Sequence, residues 1–436
     1  MSDLALLGGN KVRQDVFPAY RVIGAEEEDA VIKVLRSGVL SKFLGVYHKD
    51  FYGGPVVRAL EEEWADYFEI KHAIAVNSAT SGLYCAVAAA NIGPGDEVIV
   101  SPYTMSASAA AVLAWNAIPV FADIEEDYYC LNPVSVEQCI TTRTKAIIAV
   151  DIFGQPYNAD AINAIAKKHD LLVIEDAAQA PGAKYKGKWA GTLGDMGVYS
   201  LNYHKHIHAG EGGIVVTNDD ELATRVRLVR NHAEAVVEDM GYHNLVNMLG
   251  FNYRMTEIEA AIAREQLKKL AGLIYARRLN VECLNEKLTA VSCIDVPKVR
   301  PECEHSWYVH PLQYKKSIGE INRELYVQAV AAELMPTELR ESEGVNIGSG
   351  YVKPLYLQPI YQERIAYGYL GCPFTCPHYQ GTLNYAKGIC PICEKMHYEV
   401  LITNELIRPP LTASDLEHVA EAFKKVYDNR HDLLAR

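Results

Sequence analysis

Short apolar runs alternate with segments of helical periodicity through the first two thirds of the chain. The apolar runs lie at residues 73–76, 98–100, 119–121, 146–152, 171–174, 197–201 and 213–216. Between them, the helical spacing of apolar positions is clearest at residues 81–91, 158–168 and 221–230. Continuous apolar strands that are separated by helices are typical of a parallel sheet covered on both faces. The pattern therefore predicts an α/β fold with a mostly parallel, seven-stranded sheet.

Further helices are predicted on either side of this alternation. Residues 25–40 begin with a run of acidic residues, which suits the positive end of a helix, and residues 56–68 form a second amphipathic segment. The glycine- and aromatic-rich residues 41–55 between them predict a loop over a pocket. Capping-box patterns at residues 256–259 and 414–417 predict the start of a long helix and of the last helix.

The pattern changes after about residue 272, where strand signals become sparse and mix with helices. The chain has 436 residues, whereas single hydrophobic cores stop growing at about 250–300 residues. We therefore predict an irregular arm at 1–24, a large α/β domain at 25–272 and a smaller α+β domain at 273–436. Ligands of open α/β sheets gather at the carboxyl ends of the strands, so functional residues are expected there.

Charge and hydropathy narrow the classes of partner. The formal net charge is −13 and no basic run is present, which argues against nucleic acid and anionic membranes as partners. No apolar stretch approaches the roughly 20 residues of a membrane span. Because the first residues carry neither a basic start nor a long apolar segment, we expect no export signal and a cytoplasmic protein.

The ten cysteines do not suggest a disulfide scaffold in a chain of this length. Four of them, Cys372, Cys376, Cys390 and Cys393, have a spacing that would suit a structural zinc site. Free thiols, packed or exposed, are the alternative. Three closely spaced histidines at 204, 206 and 208 more commonly cap or pack a turn than bind metal, and we assign no metal to this chain.

A lysine stands where the apolar run 197–201 gives way to a glycine-rich turn. Ser200 is followed five residues later by Lys205, and glycines recur at 210, 212 and 213. A lysine amine becomes a nucleophile when burial or neighbouring charges lower its pKa, so Lys205 is a candidate Schiff-base residue. On this stretch alone, the pattern favours a solvated loop lysine.

Two other predicted strand ends carry complementary groups. The segment Asn77–Gly82 opens a helix with small residues, so its backbone N–H groups and the hydroxyls of Thr80 and Ser81 could bind a phosphate; an ordinary N-cap is the alternative. Asp176 ends an apolar strand, where a buried carboxylate could pair with a pyridinium nitrogen or simply cap the next turn. Together with Ser200 as a further phosphate ligand, these groups suit pyridoxal 5'-phosphate (PLP) chemistry.

The sequence resembles the DegT/DnrJ/EryC1/StrS family of sugar and cyclitol aminotransferases, from about residue 22 to the last helix. The resemblance rests on GPVVRALE at 54–61, NSATSG at 77–82, EDAAQ at 175–179, Ser200 with Lys205, GEGG at 210–213 and GFNYRM at 250–255. It implies the fold-type I, aspartate-aminotransferase-like architecture.

The resemblance also implies residue roles. Lys205 would carry PLP as a Schiff base, Asp176 would pair with the pyridine nitrogen and Gln179 would bond the ring's phenolic oxygen. Thr80, Ser81 and Ser200 would bind the phosphate. Asn252, with Arg254 beside it, would reach the phosphate of a neighbouring subunit, which implies a homodimer with shared active sites. Met105 stands where the family usually has an aromatic residue stacked on the cofactor.

The implied reaction is a two-stage transfer of an amino group from glutamate or glutamine to a ketosugar, nucleotide-linked or not, or to a cyclitol ketone. Lys205 would act as the general base. A PLP-dependent sugar 3-dehydratase is one alternative, but it would need histidine in place of Lys205. A PLP-binding regulatory protein without turnover is another. The segment 350–356 resembles that of longer cyclitol- or ketosugar-acting members, and His305, Trp307 and Tyr308 either line the same mouth or pack as an aromatic cluster.

Overall fold

A computed structural model describes residues 2–434 of the chain. It contains three sheets, of which the largest lies in the first two thirds of the chain. No helix among the described residues is both long enough and apolar enough to cross a membrane.

Helices make up the layers around the sheets. The α-helices are α1 (Ala25–Ser37), α2 (Pro55–Tyr67), α3 (Ala79–Ala89), α4 (Ala107–Ala114), α5 (Pro133–Cys139), α6 (Ala159–His169), α7 (Asp220–Arg230), α8 (Glu257–Leu288), α9 (Lys316–Gly319), α10 (Arg323–Ala332), α11 (Pro359–Gln362), α12 (Pro391–Lys395) and α13 (Ala413–Asp428). Short 3-10 turns lie at Ala5–Leu7, Lys49–Tyr52, Ile152–Gly154, Ala233–Ala235, Glu341–Glu343, Leu355–Leu357 and Arg430–Leu433, and a π-helical turn at Met396–Val400.

The strands divide into sheets of seven, four and three. They are β1 (His72–Val76), β2 (Glu97–Val100), β3 (Ile118–Phe121), β4 (Thr144–Val150), β5 (Leu172–Asp176), β6 (Lys184–Tyr185), β7 (Lys188–Trp189), β8 (Met196–Ser200), β9 (Gly213–Thr217), β10 (Ile294–Asp295), β11 (Cys303–Glu304), β12 (His310–Tyr314), β13 (Ile347–Ser349) and β14 (Leu401–Asn404).

The large sheet confirms the predicted α/β fold. Its strand order is β1-β9-β8-β5-β4-β2-β3, and the pairs from β8 to β3 are parallel. Only β9 runs antiparallel to its neighbours β1 and β8. It follows β8 through a loop rather than a crossover helix, and an antiparallel pair needs no crossover. The sheet is therefore seven-stranded and mostly parallel, as the apolar runs predict.

The two faces of this sheet bury separate apolar clusters. Alternate residues of β1 serve different clusters, since Ile74 and Val76 pack in one and Ala73 and Ala75 in the other. Successive side chains of a strand point to opposite faces, so a strand buried on both faces is apolar throughout. This is why the strands appear in the sequence as unbroken apolar runs.

Some predicted element boundaries need correction. The last helix is capped by Thr412, whose hydroxyl accepts from Asp415 N, and not by the predicted box at 414–417. Helix α1 ends at Ser37, before the predicted residue 40, because Gly38 adopts the left-handed conformation that ends helices. The Thr256–Glu259 capping box of α8 is confirmed.

The predicted loop at 41–55 packs on the rest of the large domain. Phe43 and Phe51 are buried in its apolar clusters, and Asn231 Nδ2 donates to the carbonyl of Phe51 at 3.1 Å. Tyr47 is exposed. The aromatic residues of this segment therefore contribute mainly to the core.

The chain after α7 builds a second core on the four-stranded sheet β10-β12-β14-β13. Residues 272 and 273, where we place the domain boundary, lie within the continuous helix α8. Leu4 and Phe17 of the predicted arm are buried in this second core, and Tyr356 and Phe374 of the predicted small domain pack in the large domain's core. The division at 24 and 272 stays a prediction.

Candidate active site

Three strand ends meet at one edge of the large sheet. Val76 at the end of β1 pairs with Gly213, and Gly213 pairs with Ser200 at the end of β8. On the other side of β8, Val198 pairs with Asp176, the last residue of β5. The register thus brings the three sequence segments that carry candidate chemistry to the same edge, where ligands of such sheets bind.

Lys205 lies in the loop between β8 and β9, and its side chain is buried, with 7% of the residue's surface exposed. Its Nζ lies 4.5 Å from the ring centroid of Tyr308 and makes no hydrogen bond to another described residue. An ammonium over an aromatic face is attracted to the ring's electrons. The structure therefore excludes the solvated loop lysine and leaves a sheltered amine without a carboxylate bonded to it.

The loop around Lys205 is fixed by its neighbour His206. The His206 ring is buried, and its Nε2 donates to the carbonyl oxygen of Ser306 at 2.8 Å. The Tyr20 hydroxyl donates to the backbone carbonyl of His206 at 2.6 Å. Burial lowers the pKa of His206 well below its ordinary value, helped by the nearby Arg277 charge. A neutral imidazole thus anchors the turn beside the lysine.

Asp176 is buried and points into the same site. Its carboxylate accepts from Ser108 Oγ at 2.7 Å and from the backbone N–H of Ala178 at 3.2 Å. Burial raises the pKa of Asp176 above its ordinary value, while the two hydrogen bonds and the Lys205 charge act in the opposite direction. A buried carboxylate held in one orientation, without an ion pair of its own among the described residues, suits a cationic ligand atom.

The preceding carboxylate, Glu175, lies outside this site. Its Oε2 accepts from the backbone N–H groups of Leu193 and Gly194, at 2.8 and 3.3 Å. Burial raises the pKa of Glu175, and burial together with the nearby Glu175 raises that of Asp151. The two carboxylates at the end of β5 therefore have separate surroundings, and only Asp176 faces Lys205.

Gln179 has an amide whose orientation is set by its neighbours. Its Oε1 accepts from the backbone N–H of Phe153 at 2.8 Å, and its Nε2 donates to the hydroxyl of Tyr351 at 3.0 Å. A side-chain amide has two N–H donors, so one of them remains for a ligand. A ligand oxygen beside Gln179 would therefore meet a donor and not a carbonyl.

The start of α3 offers backbone donors to an anion. Ser78 is its N-cap and accepts from Ser81 N, so the N–H groups of Ala79 and Thr80 have no acceptor among the described residues. A Cβ on Gly213 would lie 2.6 Å from Ala79 N, so only glycine allows β9 to approach this turn. The N-terminus of a helix with free N–H groups is suited to a phosphate.

The predicted phosphate hydroxyls differ in their surroundings. Thr80 is exposed and its hydroxyl makes no hydrogen bond within the described chain. Ser81 is buried and its hydroxyl donates to Asn77 Oδ1 at 2.6 Å. Ser200 Oγ accepts from Asn202 N at 3.3 Å, which leaves its hydroxyl hydrogen available. Thr80 and Ser200 are therefore better prepared than Ser81 to donate to an anion.

Two further predicted residues are at the edge of the site. Met105 precedes α4 and is 50% exposed. Asn252 is exposed, and its carbonyl lies 3.5 Å from Asn77 Nδ2, next to the start of α3 in the same chain. Its side-chain oxygen accepts from Arg254 Nε at 2.8 Å. The roles proposed for both residues stay predictions.

Several residues that border the site are not predicted by the sequence, or are predicted only as part of a longer segment. Ser108 lies in α4, whose other seven residues are apolar, so the helix has no amphipathic period. Tyr351 belongs to the segment noted at 350–356. Of the three aromatic residues expected at a mouth, Tyr308 lies under Lys205, whereas His305 and Trp307 stack on one another in a different cavity.

The cysteine hypothesis is wrong within the described chain. Among residues 2–434, no group of three or more His, Cys, Asp or Glu side chains is arranged to hold a metal ion. Cys390 and Cys393 are buried in the large domain's core, while Cys372 and Cys376 are only half-buried. These thiols are packing residues rather than a cluster.

Comparison with known proteins identifies relatives over most of the chain. The family model of the DegT/DnrJ/EryC1/StrS aminotransferase family matches residues 23–384. A GDP-perosamine synthase of Caulobacter vibrioides is 40% identical over 61% of this chain and 71% of its own length. An L-glutamine:2-deoxy-scyllo-inosose aminotransferase of Micromonospora echinospora is 30% identical over 99% of this chain and 100% of its own. A crystal structure of an aminotransferase from Psychrobacter cryohalolentis is similar with a TM-score of 0.77 at 30% identity, covering 95% of this chain and 100% of that one.

Proposed function

This chain belongs to the DegT/DnrJ/EryC1/StrS aminotransferase family, and on that basis we propose that it is a PLP-dependent aminotransferase acting on a ketosugar or a cyclitol ketone. The amino donor in this proposal is glutamate or glutamine. The observation that carries it is the convergence of a sheltered lysine, Lys205, and a buried carboxylate, Asp176, at one edge of the sheet.

The residues present fit PLP. Asp176 is a buried acceptor that forms no ion pair with any described residue, as a protonated pyridine nitrogen requires, and Gln179 retains an N–H for the ring's oxygen. The free N–H groups of Ala79 and Thr80, with the hydroxyls of Thr80 and Ser200, would hold the phosphate. We assign Lys205 as the amine that attaches the cofactor and Met105 as the residue packed on its ring.

PLP supplies an electron-withdrawing ring that stabilises the negative charge at the carbon from which a proton is removed. Asp176 keeps the ring nitrogen protonated, and Ser108 and Ala178 N keep the carboxylate ionised and oriented. Nζ of Lys205 takes the proton from the α-carbon of the donor and later delivers one to the former keto carbon of the acceptor. The Tyr308 ring lies under Nζ and stabilises its protonated form between these steps.

The relatives support both the acceptor class and the donor. The inosose aminotransferase matches nearly the full length of this chain and is named for L-glutamine and a cyclitol ketone. The GDP-perosamine synthase has the higher identity over a shorter region and is named for a nucleotide-linked sugar. A 3-dehydratase is not favoured, because Lys205 stands where that reaction needs histidine.

A panel of ketosugars and cyclitol ketones, each supplied with glutamine or glutamate, tests the proposal. Formation of an aminated product is followed by mass spectrometry, with the Lys205→Ala variant as the negative control. The proposal is supported by lysine-dependent amination of at least one acceptor. It is overturned if the PLP-loaded protein aminates none and does not convert either donor to its keto acid.

We also propose a cytoplasmic homodimer in which Asn252 of one subunit completes the phosphate site of the other. Asn252 is exposed beside the start of α3, where a second subunit could approach it. Mixing Lys205→Ala with Asn252→Ala subunits tests the sharing, because one of the two sites in a mixed dimer would then regain both residues. Recovered activity supports the shared site, and a protein that stays monomeric in sedimentation contradicts it.

A further inference from the structure

A second cavity of about 440 Å³ lies apart from Lys205, on the far side of the segment that carries Tyr308. Its wall includes the three-stranded sheet β11-β6-β7, in which Glu304 pairs with Lys184 and Lys184 with Trp189. Helix α8 forms another wall. The volume is within the range of about 300–1,000 Å³ that is typical of small-molecule sites.

Aromatic rings provide much of the surface of this cavity. Trp189 lies 5.7 Å from the ring of Tyr67, and Trp307 stacks on His305 with ring centroids 3.9 Å apart. All four residues line the cavity, together with Tyr275. Such a surface favours a flat ring, because stacked or edge-on aromatic contacts add to the energy of apolar burial.

The lysine and the arginine that line the cavity each lie beside a glutamate. Lys184 Nζ lies 3.9 Å from Glu304 Oε1 and 4.2 Å from the Trp189 ring, and Arg278 Nε lies 3.7 Å from Glu282 Oε1. Each cation that lines the cavity therefore has an anionic neighbour. An uncharged ligand would leave both pairs intact, whereas a phosphate would compete with the two carboxylates.

A buried histidine in the cavity wall has a ring N–H without a partner among the described residues. His305 is 7% exposed, and its Nδ1 accepts from the backbone N–H of Trp307 at 2.8 Å. Burial lowers the pKa of His305 to about 3, so the ring is neutral and carries its proton on Nε2. Neither His305 Nε2 nor Trp307 Nε1 makes a hydrogen bond to a described residue. A ligand with carbonyl or ring-nitrogen acceptors would satisfy them.

We propose that this cavity binds an uncharged nucleoside, with the base between the aromatic residues and accepting from His305 or Trp307. A nucleobase combines a flat ring with edge acceptors, and the ribose hydroxyls suit the carboxylates of Glu282 and Glu304. The lining of the cavity includes neither Lys205 nor Asp176, so the proposal that it binds a nucleoside does not rest on the proposed function.

The cavity is connected to Lys205 by the segment 305–308. His305 and Trp307 face the cavity, whereas Ser306 accepts from His206 and Tyr308 lies under Lys205. Because this one short segment, which bends at Trp307 where φ is 56°, contributes to both sites, a nucleoside packed on Trp307 displaces the backbone that positions Tyr308. Occupation of the cavity therefore changes the rate of amino transfer.

Isothermal titration of the full-length protein with adenosine, guanosine, cytidine, uridine and thymidine tests the binding. At least one nucleoside is expected to bind saturably, and its 5'-monophosphate more weakly. The variant Ala271→Trp fills the mouth of the cavity from α8 and should weaken binding at least about 10-fold. Leu279→Trp, an exposed position on α8 that does not line the cavity, is the matched control.

A second variant tests the donor. His305→Phe keeps a ring against Trp307 but removes Nε2–H, and it should weaken binding by about 5- to 10-fold. Circular dichroism and thermal unfolding establish that each variant is folded. If the chosen variant unfolds, quenching of tryptophan fluorescence in the native protein reports the ligand, since Trp189 and Trp307 both line the cavity.

Each outcome decides the proposal. Saturable binding that is lost in Ala271→Trp and kept in Leu279→Trp supports it. Absence of binding by all five nucleosides overturns it, as does equal affinity in Ala271→Trp or tighter binding of the monophosphate. A rate of amino transfer that is unchanged by saturating nucleoside overturns the connection to Lys205. The calorimetric results need no aminotransferase activity, so failure of the proposed function would be seen separately.

Discussion

The hydroxyl of Ser108 donates to the carboxylate of Asp176 at 2.7 Å, which joins the first turn of α4 to the end of β5. This hydrogen bond opposes the rise in the pKa of Asp176 that burial causes. We expect this hydrogen bond to keep the Asp176 carboxylate ionised even when no cofactor ring nitrogen is bound beside it.

Replacing Ser108 should shift the pH dependence of the reaction. In Ser108→Ala the pKa of Asp176 rises further, so the ionised form and the activity are lost at a higher pH on the acidic side. We expect kcat/KM near neutral pH to fall about 10-fold, measured as a pH–rate profile. Ser106→Ala, at a nearby exposed position whose side chain makes no cap hydrogen bond, should leave the profile unchanged. An acidic limb that does not move in Ser108→Ala contradicts the role of this hydroxyl.

Removing the lysine amine should abolish turnover. Lys205→Ala is expected to lower kcat by at least about 10³-fold, because the attaching amine and the base for proton transfer are lost together. Borohydride reduction of the PLP-loaded native protein, followed by peptide mass spectrometry, should place the added mass on Lys205. Lys167→Ala, an exposed position on α6, serves as the control. Full turnover in Lys205→Ala, with label on another lysine, would contradict the assignment.

The amide of Gln179 should be required as a donor. Gln179→Glu keeps the acceptor for Phe153 N but replaces the N–H donors with a second carboxylate oxygen. We expect PLP to bind about 10-fold more weakly, measured by equilibrium dialysis. Tyr351→Phe removes the acceptor of the other N–H and should keep most of the affinity. Equal loss in both variants would show that the Tyr351 hydrogen bond, rather than a direct contact, explains the effect.

A methyl group at Gly213 should disturb the start of α3. The added Cβ would lie 2.6 Å from Ala79 N, so Gly213→Ala is expected to cost about 2 kcal/mol in the free energy of unfolding and to weaken phosphate binding. At Gly272, within α8, a Cβ would meet no atom of residues 2–434 within 4 Å. Gly272→Ala should therefore stabilise the protein by about 0.5–1 kcal/mol. Denaturant unfolding measures both, and a tolerated Gly213→Ala would contradict the close approach.

Buried His310 should make stability depend on pH. Its Nε2 donates to Asn285 Oδ1, and burial lowers its pKa from 6.5 to about 3. The unfolded chain therefore binds more protons than the folded one between these values, and stability falls as the pH drops below 6.5. His310 should contribute about 2 kcal/mol of the loss between pH 7 and 5. Denaturant unfolding of His310→Gln should show a smaller loss than the native protein, whereas the exposed control His243→Gln should behave as the native protein does.

The sequence predicts best what depends on local pattern. The strands of the large sheet are buried on both faces, so they appear as apolar runs, and Lys205, Asp176 and Ser200 lie at or just beyond strand ends that the pattern places at one edge. Helix α4 was missed because seven of its eight residues are apolar, which leaves no amphipathic period to recognise. The partner of Asp176 was missed with it, since that contact forms only when β5 and α4 pack together.

Two other predictions also failed because they concern contacts that form only in the tertiary structure. The spacing of four cysteines suits a structural zinc site, yet Cys390 and Cys393 are buried in the core whereas Cys372 and Cys376 are only half-buried. His305, Trp307 and Tyr308 are neighbours in sequence, but the backbone bends at Trp307, where φ is 56°, and Tyr308 lies apart from the other two rings. Sequence proximity therefore could not decide which of them would meet Lys205.

Helix α8 has a consequence for how the whole molecule unfolds. It is 32 residues long, about 48 Å, and contributes Leu267 and Leu270 to one core and Val281 and Leu284 to another. Both cores pack on this one helix. Unfolding of either core therefore removes contacts that stabilise the helix, and with it the other core. The chain should therefore denature as one cooperative unit, and a fragment cut at residue 272 would lose part of a helix that both cores require.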